Sequence, residues 1–205
     1  MFARLARVDW PHNRTLNVVC HGHSVPAGYF QTPEISTHES YPHRLHVALA
    51  KKYSHTVINV IVTAIGGETS EKGAARFARE VLTHRPDVIT IDYALNDRGD
   101  GLARAQRAWS AMIAQAQAVR VPVILLTPTP DQAASLNDPA DPLVQHAYQV
   151  RALAAEFGTG LADSFAVFRE KVGAGARLVE LMSSGNHPNG AGHALVSAEL
   201  MRWFL

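Results

Sequence analysis

A serine in the turn after a β-branched run is the first feature of this 205-residue sequence that could do chemistry. Leu16-Asn17-Val18-Val19-Cys20-His21 reads as a buried strand that closes on Gly22-His23-Ser24. A strand ending in this way delivers a hydroxyl to the carboxyl edge of a sheet, where open α/β folds bind their ligands. Ser24 is therefore a candidate nucleophile, and a turn residue or helix N-cap is the plainer alternative at the same position. The elbow pattern Gly-x-Ser-x-Gly is incomplete, because Pro26 takes the place of the second glycine and Gly28 comes two positions later.

A serine nucleophile also needs a base of near-neutral pKa to take its proton. His187 precedes the last helix in the loop Asn186-His187-Pro188-Asn189-Gly190-Ala191-Gly192-His193, but it is one of 11 histidines and its position alone does not select it. Two more apolar strands stop at polar turns, Gly66-Gly67-Glu68-Thr69-Ser70 and Ala94-Leu95-Asn96-Asp97. A glycine at 67 lets a backbone N–H approach a substrate with no Cβ in the way. Taken singly, Gly67 and Asn96 are ordinary turn formers, and their joint placement at one sheet edge is what gives them weight.

Alternating strands and helices must position these groups. Thr56 to Val62, Val88 to Ile91, Pro122 to Thr127 and Gly160 to Asp163 read as further strands. Helices are expected after Ser40 with Leu45, Ala48 and Leu49 on one face, over a segment carrying Phe77, Val81 and Leu82, and over Leu102 to Arg120 with Trp109, Met112, Ile113 and Ala116 as a core stripe. Leu143 to Phe157 is another, stopped at Gly158, and the terminal helix carries Val196, Leu200, Trp203 and Phe204. Short apolar strands joined by such helices imply right-handed crossovers and a parallel sheet covered on both faces. The expected fold is one domain over residues 1–205, a three-layer α/β/α sandwich with about five parallel strands. Residues 28–39, with Tyr29 and Phe30, read equally as cleft lining or surface loop, and the proline-rich insertion Thr127 to Pro142 as a flank of the site.

Lys+Arg 19 against Asp+Glu 18 leaves a formal charge of +1, which offers no field for a phosphate backbone, so no nucleic-acid partner is expected. No run approaches the ~18 apolar residues of a membrane span, and residues 1–14 do not form an export signal. The single cysteine, Cys20, reads as a small buried hydrophobe suited to a reducing cytoplasm.

Four separated stretches together resemble the GDSL or SGNH hydrolases, serine esterases named for a Ser, a Gly, an Asn and a His in successive blocks. Gly22-His23-Ser24 is similar to the first block, Gly67-Glu68-Thr69-Ser70 to the second, Ala94-Leu95-Asn96-Asp97 to the third and His187-Pro188-Asn189 to the last. The resemblance implies a flavodoxin-like sheet and a cofactor-free, metal-free carboxylic ester hydrolase acting on a small-molecule ester. It implies Ser24 as nucleophile, His187 as general base, and an oxyanion hole made by the Ser24 N–H, the Gly67 N–H and the Asn96 amide. Acyl chain, alcohol and oligomeric state are not readable.

Three positions depart from the family. His23 stands where it usually has Asp, and Ala94 where it usually has Gly, both read as changes in the walls of the site. Ser184 occupies the place of the triad acid. A Ser24–His187 dyad with a neutral acceptor such as Ser184 or a backbone carbonyl is the expectation, with Asp163 and Glu180 as competing carboxylates. Two other readings remain. In one, His21 and His23 face one way and bind a metal with His187 or His193; in the other, the fold is a binding protein that has lost catalysis.

Overall fold

Runs of valine, isoleucine and leucine with few polar interruptions suit strands covered on both faces. The computed structural model, which describes residues 5–205, contains five of them. They are β1 (Leu16–Gly22), β2 (Ile58–Val62), β3 (Val88–Asp92), β4 (Val123–Leu126) and β5 (Gly160–Ala162). All neighbouring pairs are parallel, in the order β2-β1-β3-β4-β5. The chain leaves β1 for β2 on one side and returns to lay β3 on the other, so strand order reverses at the carboxyl ends of β1 and β3. That crevice is where such sheets take ligands, and Ser24 follows β1 directly into it.

Side chains alternate across the sheet. Leu16, Val18 and Cys20 join a core with Leu45 and Leu49 of α2 (Tyr41–Lys52) and Val196 and Leu200 of α8 (Gly190–Met201). Val19, Ile89 and Ile91 face the opposite core, with Phe77 of α3 (Ser70–Glu80) and Trp109, Met112 and Ile113 of α5 (Leu102–Ala118). Each such fully buried side chain contributes roughly 1.5–3 kcal/mol of transfer free energy, which fixes which face of each element points inward. The three-layer α/β/α sandwich is thus observed, with α6 (Pro142–Phe157) running beside α5 and stopped by Gly158 as its glycine suggested.

Differences from expectation sit at ends and in one omission. A helix α7 (Ser164–Gly173) follows β5 unannounced, N-capped by Asp163, whose carboxylate accepts from Ala166 N at 3.1 Å. Phe165 and Phe168 alone gave its sequence too thin an apolar stripe to read. Trp203 leaves the buried face of the terminal helix: it is 39% exposed in a short 3₁₀ turn and its indole donates to the Leu161 carbonyl at 2.8 Å. Cys20 is fully buried, and burial pushes its thiol up to about 12. Among the described residues no helix is long and apolar enough to cross a membrane.

Candidate active site

At the end of β1 the chain must pass close to β3. A Cβ on Gly22 would lie 2.4 Å from the Asp92 carbonyl oxygen, so only glycine fits. The backbone then turns at His23, the N-cap of a one-turn helix α1 (Ser24–Ala27), whose Nδ1 accepts from Val25 N at 3.2 Å. Ser24 opens that helix, so its amide has no carbonyl four residues back to bond.

His187 reaches Ser24 across the crevice: its Nε2 is 2.8 Å from Ser24 Oγ. Its Nδ1 lies 3.2 Å from Ser184 Oγ. With the Ser24 hydroxyl donating to Nε2, the ring proton sits on Nδ1 and Ser184 accepts it. The loop is tied mainly to itself, with Ser183 N donating to the His187 carbonyl at 2.9 Å and Asn189 N to Leu181 at 3.0 Å. Asn189 caps α8 through Ala191 N and Gly192 N. Tyr29 stacks on the His187 ring with centroids 6.2 Å apart, which brings the irregular segment after Gly28 into the site. The insertion after β4 reaches the same loop, where Gln132 Nε2 donates to the Ser184 carbonyl at 3.0 Å. Burial holds the His187 pKa below its ordinary 6.5, and the neighbouring His23 adds to this while the Phe30 carbonyl opposes it.

The opposite wall comes from the ends of β2 and β3. Gly67 has φ +75, a left-handed conformation that favours glycine, whereas a Cβ there would meet nothing within 4 Å. The backbone conformation is therefore the requirement on the protein side. Asn96, in the one-turn helix α4 (Ala94–Asp97), donates its amide to the Glu68 carbonyl at 2.9 Å. Asp97, fully buried, accepts from Ser70 N and from the Trp109 indole, both at 2.8 Å, and burial raises its pKa. Ile65 N, donating to the Gly22 carbonyl at 3.0 Å, ties this loop to β1.

Behind Gly67 lies a buried ionic network that the sequence reading missed. The Glu68 carboxylate accepts from Arg76 Nε at 2.9 Å and from the Tyr93 hydroxyl at 2.9 Å. Tyr93 oxygen accepts in turn from Arg76, so the His21 Nε2, 3.1 Å away, faces it as a donor and Thr63 closes the other ring nitrogen at 2.9 Å. Burial foremost, and then Arg76, lower the His21 pKa to about 4. A buried Glu eight residues before a buried Arg was the available signal, although it is indistinguishable in sequence from two surface charges.

Several expected partners are elsewhere. His21 and His23 do not share a site, since His21 belongs to the Tyr93 network while His23 turns toward Asp92; His193 accepts from Tyr41 N at 3.2 Å and stacks on Phe30. Among the described residues no group of three or more His, Cys, Asp and Glu side chains is arranged to hold a metal ion. Asp163 is held by Arg151, Thr127 and the start of α7, and Glu180 pairs with Arg177 at the surface, so neither faces His187. His23 and Ala94 are fully buried and do not form cleft walls.

Comparison with known proteins bears on this arrangement. The fold is similar to that of an acetylxylan esterase from Geobacillus stearothermophilus, with a TM-score of 0.80 at 21% identity over 92% of this chain and 94% of that one. It is also similar to a two-domain esterase active on acetylated mannans, with a TM-score of 0.75 at 22% identity over 93% of this chain and 48% of that one. At such identities the likeness is one of fold. Among curated proteins none matches the chain. A model of the GDSL-like lipase/acylhydrolase family matches residues 20–195, and the chain therefore belongs to that family of carboxylic ester hydrolases.

Proposed function

We propose that this protein hydrolyses short-chain carboxylic esters through an acyl-enzyme on Ser24. The observation that carries the reading is the 2.8 Å contact between Ser24 Oγ and His187 Nε2, made by residues 163 positions apart. As Oγ bonds to the carbonyl carbon, its proton passes to His187 Nε2, and the carbonyl oxygen takes the negative charge. The Ser24 and Gly67 amides and the Asn96 side chain are the donors for that oxygen. His187 then returns the proton to the departing alcohol, and water repeats the sequence on the acyl-enzyme. With its pKa below 6.5, the histidine is neutral and ready to accept at pH 7.

The proposed alcohol is a polyhydroxylated one. An open cavity of about 520 Å³ that Asn96 helps to line carries Arg98 and Asp141 beside the apolar Leu95, Ala133 and Ala134, a mixed wall that a sugar ring could meet with both hydroxyl and C–H faces, and both fold relatives are named for acetylated polysaccharides. The unpaired, buried Cys20 supports a reducing compartment such as the cytoplasm.

The test is a series of p-nitrophenyl esters from acetate to palmitate, with a fluorophosphonate probe as a covalent readout. Acetate is expected to be the fastest, and Ser24→Ala is expected to lose both turnover and labelling while melting at the parent temperature. Full activity in that variant would remove Ser24 from the chemistry, and a preference for palmitate would remove the short-chain reading.

A further inference from the structure

Ser24 has a second imidazole beside it. His23 Nδ1 lies 3.5 Å from Ser24 Oγ, and Nε2 of the same ring lies 3.3 Å from Asp92 Oδ1. Both side chains are essentially inaccessible, at 0% and 1% exposure. Neither of these two facing atoms has a hydrogen-bond partner among the described residues, so their 3.3 Å approach is a close contact between two otherwise unmatched buried polar atoms. The other Asp92 oxygen accepts from the Tyr41 hydroxyl at 3.1 Å. Because Val25 N–H donates to His23 Nδ1, the ring proton is on Nε2, the atom that lies 3.3 Å from Asp92 Oδ1. A carboxyl placed this deep, with no arginine paired to it among the described residues, is costly to keep.

We propose that Asp92 and His23 are positioning residues for the reaction at Ser24. Asp92 orients the His23 ring so that its Nδ1 holds the start of α1 and faces Ser24 Oγ, and the carboxyl charge, delivered from beneath the nucleophile, supports the imidazolium that His187 becomes. The Ser24 proton still goes to His187, and His23 keeps its own Nε2–H throughout. This inference rests on the esterase reading above. It accounts for a chain that has only a hydroxyl behind His187 yet spends a buried histidine and a buried carboxyl on the other side of the same serine.

Other groups bear on the same charges. His187 is faced by His23, which lowers its pKa, and by Ser184, the Tyr29 ring, the Phe30 carbonyl and His193, which has Arg44 behind it. Asp92 is faced by Tyr41 and Cys20, and Asp97 also feels His23.

The experiment compares Asp92→Asn, His23→Asn and the double variant on p-nitrophenyl acetate, with Ser24→Ala alongside. Asparagine is a good N-cap, so His23→Asn keeps the bond to Val25 while cutting the link to Asp92. Each single change is expected to lower kcat by about 10- to 100-fold, short of the ~10⁴ of a directly bonded triad acid, with KM held within about threefold. The double variant is expected to be no slower than the slower single one, because both cut the same link. Asp92→Asn is also expected to move the acidic limb of kcat/KM to lower pH, since losing a nearby negative charge disfavours the imidazolium. Singles within about twofold of the parent, losses that multiply in the double variant, or effects on KM with an unmoved limb would each overturn the proposal. If Asp92→Asn does not fold, the kcat of His23→Asn decides alone, retained activity overturning it. Failure of the esterase reading looks different, because Ser24→Ala would then hydrolyse as fast as the parent.

Discussion

On the side of Gly67 and Asn96 the crevice is braced by buried charge, whereas on the side of His187 it is braced by backbone and hydroxyl groups. Glu68, Arg76 and Tyr93 lock the first loop from behind, and Asp97 pins its far end to Ser70. The second loop is held by Ser183, Ser184 and Asn189 within its own few residues, and by a Gln132 contact from the exposed insertion. The difference follows from what each wall must do. On the proposed function Gly67 and Asn96 are oxyanion donors, which act only if they are already aimed when charge develops, so stiffness there is repaid in rate. As the proposed base, His187 has to accept and release a proton, and its pKa is lowered first by burial and then by His23.

The largest expected effect comes from unpairing the buried charge. Arg76→Ala leaves the Glu68 carboxylate, only 7% exposed, without its guanidinium. Breaking a buried pair from one side costs about 3–5 kcal/mol, and urea or thermal unfolding should register a loss of that order. A loss under about 1 kcal/mol would mean that this wall is braced by packing instead. Replacing both partners by apolar residues of similar volume is the sharper version, since it removes the charge as well and should recover much of the stability.

Next is the donor proposed for the oxyanion. Asn96→Ala is expected to lower kcat by ~10²–10³, about 2.7–4 kcal/mol, with a smaller change in KM, because its contact strengthens only as the oxyanion forms. A change confined to KM would make Asn96 a ground-state binder. Asn96 donates to the Glu68 carbonyl, so the proposed function requires that bond to be exchanged for one to substrate, and the same Glu68 links this prediction to the first.

The contrast between the walls also explains what could be read from sequence. Strand runs and the parallel sheet were legible because β-branched runs report burial, and so was the placing of Ser24, Gly67, Asn96 and His187 in the loops that follow strands or precede the last helix. Helix α7 was not, since its two phenylalanines make too narrow a stripe and Asp163 looked like a strand end when it is the helix cap. The bracing charges were illegible for a different reason. Glu68, Arg76 and Asp92 differ from surface residues only in burial, and burial of a charge is decided by tertiary partners far away in the chain. His23 was visible as a departure but its direction was not, because the turn at the end of β1 breaks the strand alternation that would have set it beside His21.

The smallest expected effect probes the neutral wall. Ser184 is the only side chain hydrogen-bonded to His187 Nδ1 among the described residues, so a reading in which it replaces the triad acid makes it essential. The surroundings argue otherwise. The ring is also held by stacking on Tyr29, its backbone carbonyl takes bonds from Ser183, and the Phe30 carbonyl lies close enough to raise its pKa. Ser184→Ala should therefore cost less than about tenfold in kcat/KM, under ~1.4 kcal/mol, with Asp163→Asn and Glu180→Gln costing no more because neither faces the ring. The acidic limb of kcat/KM should stay below pH 6.5 in all three, since burial, which depresses the His187 pKa, is unchanged. Ser184→Asp reverses the sign: a carboxylate in place of the hydroxyl that lies 3.2 Å from Nδ1 favours the imidazolium and should carry the limb upward. A thousandfold loss in Ser184→Ala would show that the hydroxyl does the work of a triad acid, and an unmoved limb in Ser184→Asp that position 184 no longer reaches the imidazole when it carries a charge.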